Sequence, residues 1–234
     1  MDKEQERIFM ERYPDLVKYL VINDLEEIPK PNISVTARTI DLYRDHLYPD
    51  CQSDKEFLGK LKNKRMLDVG CGYNPLYDTS LIQVVNGNKK EFNSQVTGCD
   101  IIDMKMPNYS KSSIYTMNFT HVDTILINNL MYFWINKPKD LLRAYKNLYK
   151  LLKPGGEIRV FPVYMNSYHQ NNDELKKFIN DHFFVRMIKP DYYDEDPFYQ
   201  DKEHDEIYVL EGLGKKEAKI NKMLNSHTLI LKKQ

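Results

Sequence analysis

From Lys64 to Phe161, short apolar runs alternate with stretches whose apolar residues recur every three or four positions. This is the texture of a parallel sheet with helical crossovers. The runs predict strands over 65–69 (RMLDV), 95–100 (QVTGCD), 113–117 (SIYTM), 123–128 (DTILIN) and 156–161 (GEIRVF). Between the last two, Leu141, Leu142, Tyr145, Leu148, Tyr149 and Leu152 make one stripe at helical spacing, predicting a helix that ends at KPGG. Lys150 and Lys153 suit the negative end of its dipole, and Pro154 with the two glycines stops it.

The flanks are less regular. Residues 1 to about 60 are helical in pattern, with ERIFMERYPDLVKYLV, TARTIDLYRDHLY and DKEFLGKLK as separate segments. This predicts an N-terminal helical extension, a candidate lid, over 1–60, ahead of a domain over 61–234. After the fifth strand the pattern gives a loop, PVYMNSYHQ, a helix, NDELKKFIND, and a strand, FFVRMI (183–188). A polar, acidic and aromatic insertion follows around 189–206. IYVLEG (207–212) and HTLILKK (227–233) then read as an antiparallel pair.

Composition narrows the function classes only slightly. The 234 residues carry 34 Lys+Arg and 34 Asp+Glu, so no global field draws the chain to nucleic acid or anionic lipid, although a local patch stays open. No apolar run reaches the ~18–20 residues of a membrane span. The charged start, MDKEQERIFMERY, predicts no secretory signal. Cys51, Cys71 and Cys99 show no CxxC spacing, so neither a disulfide framework nor a zinc site is expected, and no other metal site is read. A reducing cytoplasm is the expected compartment.

The chemistry starts at LDVGCGYNPL, residues 67–76, where two glycines follow an apolar strand. A dinucleotide loop, GxGxxG, would want a third glycine where Pro75 stands, and that glycine permits close packing of helix on strand. This disfavours a nicotinamide oxidoreductase. Asn74 and Pro75 read instead as an N-cap and a first helical residue. The segment is then an intact strand–turn–helix in which backbone can approach a ligand.

Four motifs in order resemble the class I S-adenosylmethionine-dependent methyltransferases: LDVGCGYNP, VTGCDIID, VDTILINNLMYFW and LLKPGGEIRVF. The resemblance implies a Rossmann-like, doubly wound α/β fold whose mostly parallel seven-stranded sheet carries an antiparallel C-terminal strand. It also implies S-adenosyl-L-methionine as cofactor. Gly70, Cys71 and Gly72 would lie against its methionine portion, with Asp68 orienting the loop or reaching the amine through water. Asp100 would accept both ribose hydroxyls, Ile101 would pack on the adenine, and Asn118 with Phe119 would meet the adenine edge and face. Asn128 would line the sulfonium side.

Catalytic residues are harder to read, because the sulfonium methyl is already activated and the protein mainly supplies placement and desolvation. Tyr164, Tyr168 and His169 fall on the usual acceptor side, and Tyr164 and His169 are the candidate catalytic groups. A solvated loop histidine is the plainer reading of His169. Asn128-Asn129-Leu130-Met131 lacks the Asn-Pro-Pro-aromatic motif of base-amine methyltransferases, and it lacks the acidic polyamine site of an aminopropyl transferase. The reading is a methyltransferase of unidentified acceptor, with a small molecule or protein favoured over nucleic acid and no membrane partner. The alternative is a non-catalytic protein of the same fold serving as a binding partner or scaffold.

Overall fold

The computed structural model describes residues 39–72, 74–76, 78–101, 104–128, 130–131, 135, 138–164, 173–189 and 226–234. In chain order the elements are α1 (Ile40–Leu47), α2 (Asp54–Leu61), β1 (Arg65–Val69), a 3₁₀ turn (Asn74–Leu76), α3 (Leu81–Gly87) and α4 (Lys89–Phe92). They continue with β2 (Gln95–Asp100), β3 (Tyr109–Lys111), β4 (Val122–Asn128), α5 (Pro138–Leu151), β5 (Leu152–Tyr164), α6 (Asp173–His182), β6 (Phe183–Ile188) and β7 (Ser226–Lys233). The strands form one sheet in the order β3-β2-β1-β4-β5-β7-β6. The pairs from β3 to β5 are parallel, and β7 runs antiparallel to both β5 and β6. This is the mostly parallel, seven-stranded sheet that the motifs imply.

Side-chain alternation gives the two faces of the sheet different chemistry. On one face Val69, Ile127, Val160 and Leu231 meet the apolar stripe of α5, including Tyr145 and Leu148, in a dry core. Burying a side chain of that size contributes roughly 1.5–3 kcal/mol. The opposite face carries Asp68, Thr124, Asn128, Arg159 and Thr228, all buried. There α1 and the turn after it bind by polar contacts. The Tyr43 hydroxyl donates to the Asp68 carboxylate, and the Thr228 hydroxyl donates to the His46 carbonyl. Arg159 donates to the Leu47 carbonyl at 2.7 Å and to Asp50 at 2.8 Å, with its guanidinium 4.1 Å above the Tyr48 ring.

Three sequence expectations are corrected. Strand three is Tyr109–Lys111, not 113–117. The 113–117 segment turns back on itself, with Thr116 and Met117 amides bonded to the Ser113 carbonyl at 3.0 and 2.8 Å. Its Ile114 and Met117 carbonyls accept from Asn147 of α5. Spaced by three, those two apolar residues report a turn against the core, not a strand.

Secondly, Asn74-Pro75 opens a 3₁₀ turn and not a helix. The Asn74 amide is committed to the Tyr43 hydroxyl at 2.8 Å, and Ser80 caps the following helix, α3, by accepting from Gln83. Thirdly, KPGG interrupts the ladder inside β5. Leu152 pairs with Val122 and Glu157 with Thr124, so residues 153–156 bulge out between them. Lys153 there forms an ion pair with Asp123 instead of capping the helix. The segment 1–38, the insertion at 189–206 beyond its first residue, and IYVLEG lie outside the described residues.

Candidate functional site

Strand register fixes the geometry of the site. Val69 pairs with Cys99 on one side and with Ile127 on the other, and Asn128 pairs with Phe161. One residue further along, Asp100, Gly70, Asn128 and Phe161 therefore stand at one level across the carboxyl ends of β2, β1, β4 and β5. The chain turns to opposite sides after β1, so this level coincides with the switch point where open α/β sheets bind ligands.

The loop after β1 is held from both sides. The Gly70 amide donates to the Cys99 carbonyl at 2.8 Å, and the Gly72 amide donates to Asp100 Oδ2 at 2.9 Å. Asp100 Oδ1 accepts from the Ile101 amide at 2.7 Å. Gly70 and Gly72 have φ of 72° and 54°, left-handed conformations that side chains disfavour. Asp68 is buried behind the loop on the Tyr43 hydroxyl, and Ile101 lies beyond it, 43 % exposed.

Gly98 had no place in the sequence reading, yet it forms the floor of the loop. A Cβ there would meet Ile82 Cδ1 at 2.7 Å, Cys71 Sγ at 3.0 Å and Pro75 Cγ at 3.3 Å. Gly98→Ala is expected to cost about 1–3 kcal/mol by overpacking, read as a lower urea midpoint at unchanged slope. An unchanged midpoint would mean that the loop is not packed on β2. Cys71 is buried in this floor. Burial, then the neighbouring Asp68 and Asp100 charges, push the Cys99 thiol up to about 12, so it is no nucleophile at neutral pH.

On the β4 side, Asn128 Oδ1 lies 3.1 Å from His46 Nδ1, and the His46 ring stacks on Phe161 at 4.2 Å. The Asn128 amide nitrogen is buried and has no hydrogen-bond partner among the described residues. A buried donor left this way is costly unless something accepts from it. Tyr43 and His46 were missed by sequence reasoning. Their spacing on α1 showed a buried helix face but not which strands it meets.

Not every predicted residue joins this group. Asn118 is exposed and Phe119 packs against the α5 core. Both come well after the end of β3, where Ser112 leads out with its amide on the Asp100 carbonyl. Tyr164 closes β5, while His169 and Tyr168 lie outside the described residues.

No family model and no curated protein matches the sequence. Among solved structures, StiE O-MT (residues 942–1257) superposes with a TM-score of 0.50 at 16% identity, covering 92% of this chain and 81% of that one. The N-methyltransferase NodS from Bradyrhizobium japonicum WM9, in complex with S-adenosyl-L-homocysteine, matches at a TM-score of 0.41 and 10% identity. That match covers 77% of this chain and 86% of NodS. No helix among the described residues is long and apolar enough to cross a membrane. With its sheet order, its glycine turn at the switch point and the acid closing β2, the chain has the Rossmann-like fold of the class I S-adenosylmethionine-dependent methyltransferases.

Proposed function

We propose that the protein is a methyltransferase that binds S-adenosyl-L-methionine at the Gly70–Gly72 loop. The observation that carries this reading is the Asp100 carboxylate, held by the Gly72 and Ile101 amides beside a loop that has no Cβ at either glycine. That arrangement suits a ribose diol next to a zwitterion. Asp100 would accept the ribose hydroxyls, Ile101 would cover the adenine, and the backbone of Gly70, Cys71 and Gly72 would meet the methionine end. Asp68 would keep the loop in register through Tyr43. The unpartnered Asn128 amide would donate towards the reacting end of the pocket. Asn118 and Phe119 stay as candidates for the adenine edge, on weaker support.

When bound, the cofactor supplies an activated methyl. The protein then has to orient the acceptor in line and exclude water. β5 and β6 both point towards the end of the sheet where Gly70 and Asp100 stand, so their last residues, Tyr164 and Ile188, lie at that end. Small molecules and proteins remain the favoured acceptors, and Tyr164 and His169 the candidate catalytic groups. The cytoplasm stays the proposed compartment.

The test is transfer of a tritium-labelled methyl from the cofactor to separated small-molecule, peptide and RNA fractions. Label should pass to one fraction and should fall to background with Asp100→Ala. A folded protein that binds the cofactor yet labels no fraction would favour the scaffold reading instead.

A further inference from the structure

A pocket lies on the α1–α2 face of the sheet, at the end away from Gly70 and Asp100. Two rungs of the ladder build it. Glu157, Lys232 and Phe184 share one rung, and Arg159, Ile230 and Arg186 share the next. Lys60 of α2, Asp50 and Lys64 line it as well, and together they shape an open depression of about 410 Å³, within the size range of small-ligand sites.

Its charges do not balance. Five cations line it against the two carboxylates of Asp50 and Glu157. Glu157 is taken by Arg159 at 2.8 Å, and Asp50 serves both Arg159 at 2.8 Å and Lys60 at 2.9 Å. Arg186, 63% exposed, reaches Asp50 only at 3.6 Å. Lys64 and Lys232 have no ion-pair partner among the described residues, and burial pushes the Lys64 ammonium down. Beside these cations stands the Phe184 ring, 66% exposed. A lone exposed ring needs no explanation. Here, however, it stands beside surplus positive charge, which is the pairing that binds a base and its phosphate together. The surplus matches a phosphate dianion better than a single carboxylate, and the Arg186 fork suits phosphate oxygens.

We propose that this pocket is a second ligand site, separate from the loop after β1, that takes a phosphorylated nucleoside. The phosphate sits against Lys64, Arg186 and Lys232, and the base lies on Phe184. The site does not depend on the methyltransferase reading.

Uridine monophosphate is the first probe, because it lacks the adenine that the loop site would take. Pyrophosphate and a short oligouridine are the second and third. Each is titrated calorimetrically into the full chain with S-adenosyl-L-homocysteine present throughout. Uridine monophosphate should bind, more weakly as salt rises. Arg186→Ala and Lys232→Ala should each weaken all three probes about tenfold, the scale of one charge-assisted contact. Phe184→Ala should weaken the two uridine probes about tenfold and leave pyrophosphate unchanged, as stacking predicts.

All three changes are at exposed positions, and an unchanged unfolding midpoint confirms the fold. Oligouridine binding tenfold tighter than the monophosphate, with the same sensitivities, supports the site and assigns the nucleotide to a chain. Equal binding supports it and assigns a free nucleotide. No heat with either uridine probe at millimolar concentration overturns the proposal. So does binding indifferent to Phe184→Ala, or to both cation substitutions.

Discussion

Asp50→Ala should lower the stability of the protein by about 3–5 kcal/mol, the usual result of removing one partner from a buried ion pair. Arg159 is only 3% exposed, on a strand in the middle of the sheet, and Asp50 answers it from the turn after α1. Without Asp50 the guanidinium keeps Glu157 and the Leu47 carbonyl, but Lys60 is left with only Glu56 at 3.7 Å and the turn after α1 loses its ion pair with β5. Replacing both members, as Asp50→Leu with Arg159→Met, should recover much of the loss, because the desolvation of the pair is then removed with it. Urea unfolding measures both variants. A loss below about 1 kcal/mol for Asp50→Ala would show that the pair is solvated, as exposed pairs of that worth are.

The same carboxylate gives a pH signature. Burial alone would raise the Asp50 pKa, but the hydrogen bonds and charges of Arg159 and Lys60 outweigh it and hold the group well below the usual carboxylate range. Asp123 is depressed likewise, its burial outweighed by Lys153 and the Arg65 amide. A folded value below the unfolded one means stability that is present above about pH 4 and is lost as pH falls through the folded value. Stability should therefore drop on the acid side of about pH 4, and Asp50→Ala should flatten that drop. An acid limb of equal slope in wild type and variant would contradict the assignment.

How legible was this in the sequence? β1, β2 and β6 have the predicted boundaries, because each is a short, β-prone segment whose end is marked by Gly70, Asp100 or Lys189-Pro190. Strand three was misplaced because YSK at 109–111 carries little apolar signal on an edge, while Ile114 and Met117 nearby carry a strong one. The cofactor-loop candidates Gly70, Gly72 and Asp100 came together because strand ends are local signals and parallel register aligns them. Tyr43, His46 and Gly98 did not, since their roles arise from contacts across the fold. His46 meets Asn128 across 82 positions, and Gly98 matters for what a Cβ would strike. The Asn74 side chain shows the same limit, since local rules make it a cap and a tertiary partner takes it.

Asp100→Ala is expected to weaken binding of S-adenosylmethionine by ~1.5–3 kcal/mol, about ten- to a hundredfold, as loss of charge-assisted hydrogen bonds does. Two effects act together. On the proposed reading the ribose hydroxyls would lose their acceptor, and the Gly72 and Ile101 amides lose the carboxylate they donate to. Asp100→Asn should fall between the two, keeping one acceptor oxygen but no charge. Fold controls matter, because Asp100 is buried and its backbone carbonyl holds Ser112.

The deciding measurement is calorimetric titration of the 234-residue chain with S-adenosylmethionine, wild type beside Asp100→Ala. Saturable one-to-one binding by the wild type, weakened at least tenfold in a variant that still unfolds cooperatively, is the predicted result. Absent binding by a folded wild type, or equal binding by both proteins, would contradict a cofactor site at the Gly70–Gly72 loop.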